Sequence, residues 1–355
     1  KEDIETGARA AAAGGFTTVV LMANTKPAVD TKETLSYVLE KGRKTGIHVE
    51  SCACITKGLA GKELTDMKML REAGAAGFTD DGIPILDEAL VKAAMEQAKE
   101  LDVPLSFHEE DPAYIENNGI NHGKASAYYQ IGGSDRMAEI SLVRRDLELA
   151  LSTGAAFDVQ HISAKESVAL VREVKKRAKE MGMDNIHAEA TPHHFSLTEE
   201  AAIQYGTLAK MNPPLREEAD RMAVIEGLAD GTIDLIATDH APHSAEEKAK
   251  PLTEAPSGII GLETAFSLAV TNLIRPGYLD LPTLFERMSL APAKLYHLPA
   301  GQIKEDMPAD LIVFDDAAEV VYEKFASKSS NSPFTGQKLY GRIEMTICEG
   351  KEIQK

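Results

Sequence analysis

Residues 232–243 read Thr-Ile-Asp-Leu-Ile-Ala-Thr-Asp-His-Ala-Pro-His, a short apolar run that breaks abruptly into acid and imidazole. Residues 232–237 suit a strand buried on both faces, and the chemistry begins only where such a strand ends, at Asp239. The same pattern recurs upstream. Residues 76–79 run into Asp80-Asp81-Gly82, and residues 104–107 into His108-Glu109-Glu110-Asp111. Residues 156–160 end at His161, and residues 185–190 lead into Thr191-Pro192-His193-His194. Longer amphipathic stretches, 86–101, 134–152, 164–181 and 216–229, separate these runs and predict helices.

Working outward, residues 17–22 (TTVVLM) and 47–53 predict two earlier strands, with helices over 4–13, 31–44 and 64–73. The Ala-rich first helix stops at Gly14-Gly15. Seven strands in a β-then-α rhythm, with crossovers long enough for parallel pairing, imply an open doubly wound sheet or an incomplete (β/α)8 barrel. No GxGxxG follows the first strand, which argues against a dinucleotide fold. In a parallel barrel all strand C-termini meet on one face, where such enzymes place their catalytic groups. Alone, each strand-end histidine is more often a packing residue. Four strands ending in Asp, His, His and Asp together form a donor set for zinc. After residue 256 come helical stretches 262–273, 281–290 and 293–296. Residues 298–355 then change character, with glycines between short apolar runs, and predict a small β module. The expected division is a barrel over 1–297 and that module over 298–355.

Composition bounds the partners. Across 355 residues, 38 Lys+Arg stand against 56 Asp+Glu, a net charge of −18, which excludes nucleic acid and anionic membrane as partners. No apolar run is long enough to span a bilayer. Cys52, Cys54 and Cys348 form no disulfide framework and suggest a reducing compartment. Without a signal peptide, the expectation is a cytoplasmic enzyme. The chain opens Lys1-Glu2-Asp3-Ile4, without a methionine, and reads as the remainder of a longer one. His48, His122, His187 and His297 lie away from strand C-termini and read as structural or exposed, His193 and His194 as shaping the site's rim.

Six blocks occur in order: Thr79-Asp80-Asp81-Gly82, Phe107-His108-Glu109-Glu110, Gln160-His161-Ile162-Ser163, Thr191-Pro192-His193-His194, Asn212-Pro213-Pro214-Leu215-Arg216 and Thr238-Asp239-His240-Ala241-Pro242-His243. Together they resemble the amidohydrolase superfamily, and within it the dihydroorotases of the longer bacterial type. Residues 22–27 and 301–315 resemble further family segments, so the likeness runs the length of the chain. The resemblance implies a (β/α)8 TIM-type barrel lacking its first strand here, plus a small C-terminal β-sandwich. It implies two zinc ions per subunit, with Asp81 bridging them, His108 and His161 on the second ion, and Asp239 on the first as proton shuttle. Asn24, Asn212 and His243 resemble substrate-holding groups, and Ser257-Gly258 the stretch whose backbone meets the ring. The implied reaction interconverts N-carbamoyl-L-aspartate and L-dihydroorotate, a step of pyrimidine synthesis, through a hydroxide bridging the metals. The resemblance also implies a homodimer, and it leaves open association with an aspartate transcarbamoylase.

One family feature is missing. The family's first strand carries His-x-His, two ligands of the first zinc, followed closely by an Arg for the substrate carboxylate; this chain has no His-x-His. Truncation before Lys1 explains that better than decay, because the downstream ligands are intact. Hydantoinases and allantoinases use a carboxylated lysine as the bridge, and residues 75–82 contain none. A non-catalytic scaffold for a transcarbamoylase would have eroded ligands, and a plain barrel with packed histidines is the blandest alternative. Residues 240–257 are polar and Pro-punctuated, and predict a loop over the rim of the pocket.

Overall fold

The computed structural model describes residues 1–353. Six parallel strands are laid down in chain order: β1 (Thr18–Leu21), β2 (His48–Ser51), β3 (Leu105–Phe107), β4 (Phe157–Val159), β5 (Ile186–Ala190) and β6 (Leu235–Ile236). β1 pairs with β2, and β3 through β6 pair in sequence order, all parallel. The stretch expected as a strand at 76–79 joins the two groups through a single residue. Phe78 pairs with Ala53 on one side and with Leu105 on the other. The amide of Phe78 donates to Pro104 O and that of Thr79 to Ala53 O, both completing the ladder. The result is one parallel sheet with seven positions in chain order, as the barrel reading and not a doubly wound sheet requires.

Helices return the chain between strands, and their limits follow from local chemistry. Glu88–Leu101 starts where the Asp87 carboxylate accepts the amides of Ala89 and Leu90, and stops at left-handed Asp102. It buries Val91, Ala94, Met95 and Ala98, one face at helical spacing, against the sheet. Lys165–Glu180 begins at Ala164, which has no capping side chain of its own. Glu139, from the preceding helix, supplies the cap instead, accepting the amides of Ser163 and Ala164.

The later helices differ from expectation. Residues 262–273 and 281–290 each read as one helix. Each is an α segment, Ala265–Ala269 or Leu281–Phe285, that widens into a π-type turn, Val270–Ile274 or Glu286–Leu290. Three short helices, Lys124–Tyr129, Pro192–Ser196 and Glu200–Tyr205, carry too few turns to leave a periodic signal.

At the C-terminus, β7 (Leu311–Val321), β8 (Lys338–Cys348) and β9 (Lys351–Glu352) form one antiparallel sheet. The β module is therefore present among the described residues as three strands, with no second sheet facing it. It lies directly on the π-turn helix: Gly341 has φ +93°, and a Cβ there would sit 2.7 Å from Val270. Phe314 of β7 stacks edge-on to Phe266, with ring centroids 5.1 Å apart, so the module shares the barrel's apolar core.

β1 and β6 are the two ends of the parallel sheet, each paired on one side only. Their free edges border a cavity of about 1830 Å³, which also reaches Asp81, His161 and Asp239 beyond the strand C-termini.

Candidate metal centre and active site

Three of the predicted ligands meet at one point. His108 leaves the end of β3 and His161 follows β4, and their Nδ1 and Nε2 atoms approach to 3.0 Å. Asp81 Oδ1 completes a triangle, 3.7 Å from His161 Nε2 and 4.0 Å from His108 Nδ1. Two ligand atoms on one tetrahedral zinc stand about 3.3 Å apart, from a metal–nitrogen distance of roughly 2.0 Å, so this donor set fits such an ion. His161 is held at φ +34°, a left-handed backbone rare outside glycine and typical of positions that function fixes.

The two adjacent aspartates divide their tasks. Asp80 is buried and accepts the amides of Ile55 and Thr56 at 2.8 and 3.0 Å, which locks the turn. That turn projects Asp81 into the cavity, where Asn24 Nδ2 donates to Oδ2 at 2.8 Å. Burial alone would raise the Asp81 carboxyl. The hydrogen bond and charge of His161, the charge of His108 and the Asn24 bond outweigh it and hold the group below its ordinary range. His161 responds in the opposite sense. Burial opposes its charge, but Asp81, Asp239 and Glu189 push it up to about 10.

Asp239 lines the same cavity but stands outside the triangle. It too has a left-handed backbone, φ +44°, and its Oδ2 is buried without a hydrogen-bond partner. Burial and the charge of Asp81, opposed by His161, raise its carboxyl to about 7. Behind it lies His193 Nε2 at 3.8 Å, also buried and unpartnered. His193 thus backs Asp239, deeper than the rim position expected for it. His194 is structural: Thr191 Oγ1 meets its Nδ1 at 2.8 Å and Pro213 O its Nε2 at 2.9 Å.

The expected substrate groups fall into two sets. Asn24 and His243 line the cavity with Asp81, His161 and Asp239. Asn212, Ser257 and Gly258 form a neighbouring cluster, with Ser257 Oγ donating to Asn212 Oδ1 at 3.0 Å. His243 joins the sets, its Nε2 2.8 Å from Ser257 O. Close approach explains the glycine: a Cβ on Gly258, at φ +144°, would lie 2.8 Å from His243 Cδ2 and from Ala241 O. The loop that carries these residues is pinned from beneath. Lys248 Nζ donates to Pro256 O and Gly258 O, and Lys210 Nζ to Leu252 O and Ala255 O, both lysines being buried.

Reading only strand ends missed two carboxylates. Glu189 sits inside β5, lines the cavity and accepts the His161 amide at 3.3 Å. Burial and the charge of Asp158 raise it well above the ordinary range. Glu110 lies beneath His108, two residues along the chain. Strand alternation marks Glu189 as an inward position, and the Phe107-His108-Glu109-Glu110 block carries Glu110; either signal was available. A second His/Asp/Cys group, His48, Asp310 and Cys348, is self-satisfied. His48 Nε2 meets Asp310 Oδ2 at 3.0 Å, the Glu349 amide takes Oδ1, and burial with Asp310 pushes the thiol up to about 12. That group docks the C-terminal sheet onto β2.

The chain is an α/β fold whose parallel strands end in histidines and carboxylates. Solved structures agree: an L-hydantoinase from Arthrobacter aurescens superposes with a TM-score of 0.87 at 23% identity, over 100% of this chain and 80% of that one. A dihydropyrimidinase from Brevibacillus agri gives 0.82 at 20% identity, over 99% and 80%. Sequence relatives are narrower. The family model described as Dihydro-orotase-like matches residues 1–167. The dihydroorotase of Clostridioides difficile is 54% identical over 99% of this chain and 83% of its own length. That of Clostridium acetobutylicum is 53% identical, over 99% and 82%. The chain belongs to the dihydroorotase family. Among the described residues no helix is long and apolar enough to cross a membrane.

Proposed function

We propose that this chain carries the active site of a dihydroorotase, interconverting N-carbamoyl-L-aspartate and L-dihydroorotate in pyrimidine synthesis with two zinc ions. The observation behind the reading is the Asp81–His108–His161 triangle with the unpartnered Asp239 oxygen in the same cavity. Asp81 would bridge the ions, His108 and His161 hold one, and Asp239 the other. Bound zinc would supply hydroxide near neutral pH and polarise the ring carbonyl. Asp239 takes the proton of the attacking water on its free Oδ2 and returns it to the leaving ring nitrogen, base first and acid second. His243 and Asn24 hold the substrate carboxylate and ring, with Asn212, Ser257 and Gly258 shaping the wall behind His243. A bridging aspartate favours this reaction over that of hydantoinases, whose likeness at 20–23% identity carries the fold alone.

Along the β1 and β6 edges, part of this cavity is, in this reading, the seat of an eighth parallel strand that closes the barrel and leaves the strand C-terminal end to the substrate. The two ladder edges are open to pairing, and the matched relatives extend beyond the 82–83% of their length that this chain covers. That strand would bring the remaining ligands of the first zinc. The barrel then occupies residues 1–297 and the β module, read as part of a sandwich, 298–355. We further take the enzyme to be a cytoplasmic homodimer, a state that light scattering of the purified protein checks. Asp239→Asn tests the chemistry. It should lower kcat for ring opening by about 10²–10⁴-fold, the range for a lost general acid–base; an unchanged kcat refutes the role.

A further inference from the structure

Glu110 is a buried acid that the reaction above does not use. Its side chain is 2% exposed, and each carboxylate oxygen has one neighbour. Ser134 Oγ donates to Oε1 at 3.3 Å, and Oε2 lies 3.1 Å from His108 Nε2 with no other polar partner. The approach is within ion-pair distance, and Oε2 makes no hydrogen bond in this geometry. His108 therefore faces two acids with its two nitrogens: Nδ1 toward Asp81 and His161, Nε2 toward Glu110. Burial opposes the charge of this carboxylate; the His108 ring, nearest to it, offsets that first, and Arg216 adds to it. Arg216 is itself fixed, its Nε on Ser163 Oγ at 2.8 Å and one terminal nitrogen on Asn121 Oδ1 at 3.1 Å.

We propose that Glu110 is a positioning residue for the metal ligand His108: it takes the Nε2 hydrogen, so that Nδ1 presents its lone pair to the metal. A neutral imidazole has one N–H, and whichever nitrogen carries it cannot ligate. Without an acceptor at Nε2 the hydrogen is free to sit on Nδ1, and the ring is free to turn. Partners of this kind typically set metal affinity by 10–100-fold. Glu109, the next-door acid, does a different job: its carboxyl interacts with Asp146 and Arg145, away from the triangle. The inference rests on His108 being a ligand, so the test separates the two claims.

Zinc-loaded enzyme is titrated with a chelator, and zinc retained per chain is followed for wild type, Glu110→Ala, Glu110→Gln and Glu110→Asp. Melting temperature is recorded after metal removal, as a measure of structure alone. Glu110→Ala should release zinc about 10–100-fold more readily, with its metal-free melting temperature close to wild type. Glu110→Gln keeps an acceptor oxygen at the same distance and should restore most of the retention. Should the alanine variant not fold, Glu110→Asp serves. It keeps the charge but withdraws the oxygen by one methylene, and should lose zinc in the same way. Retention equal to wild type in the alanine variant, or in the aspartate variant where that is the one read, overturns the proposal. So does a glutamine variant as weak as alanine. His108→Ala run alongside reports on the ligand assignment: full zinc retention there refutes the assignment itself.

Discussion

Neighbouring residues of one type carry unlike roles because their surroundings differ. Asp80 spends both oxygens on a turn, Oδ1 on two amides and Oδ2 on the Thr56 hydroxyl, and Asp81 is left for the cavity. His193 faces Asp239, whereas both nitrogens of His194 are bonded. His194 supports a pH prediction. Burial, with the charges of His161 and Arg216 working the same way against its backbone bonds, lowers its pKa to about 3. In the unfolded chain the ring titrates near 6.5, so between those values the unfolded state binds the extra proton. Stability is then fully present above about 6.5 and falls as pH drops toward 3, with a slope of at most about 1.4 kcal/mol per unit from this group. Urea unfolding at pH 7 and pH 5 should show a larger loss for wild type than for His194→Gln, which keeps polar atoms but no titration. Equal losses would contradict the assignment.

Elements here are placed by side chains borrowed from other elements. Glu139 caps the helix Lys165–Glu180 from outside and also takes the hydroxyl of Ser163. Being buried, it leaves orphaned donors when removed. Glu139→Ala should cost about 3 kcal/mol, from unsatisfied groups worth roughly 1–3 kcal/mol each. Denaturant unfolding reads this directly, and a loss below about 0.5 kcal/mol would show that the cap is dispensable. This borrowing also marks what the sequence leaves legible. Strand positions, the long amphipathic helices and the Asp81–His108–His161 set are readable because period and strand ends are local signals. Glu139 capping Ala164, and His193 reaching Asp239, depend on chain folding that no local pattern encodes. The π-type widening at Val270–Ile274 is equally invisible, since it arises where β8 lies against the helix.

At the scale of the whole molecule, the C-terminal part reaches back into the candidate active site. Asn331 is buried; its Nδ2 donates to Ala241 O and Gly258 O, and its Oδ1 accepts the His243 amide at 3.0 Å. One side chain thus ties both limbs of the substrate loop, a coupling of residues far apart in sequence. Asn331→Ala should raise KM several-fold and leave zinc content unchanged, because it loosens His243 and not the ligands; an unchanged KM would cut the link. The proposed metal centre has the same long-range origin, with Asp81, His108 and His161 arriving from three successive strand positions. Its most direct test is the zinc count per chain in His161→Ala, by elemental analysis, on protein carrying the proposed eighth strand. One of two zinc ions should be lost, together with ring-opening activity. Two zinc equivalents retained with unchanged turnover would contradict the account.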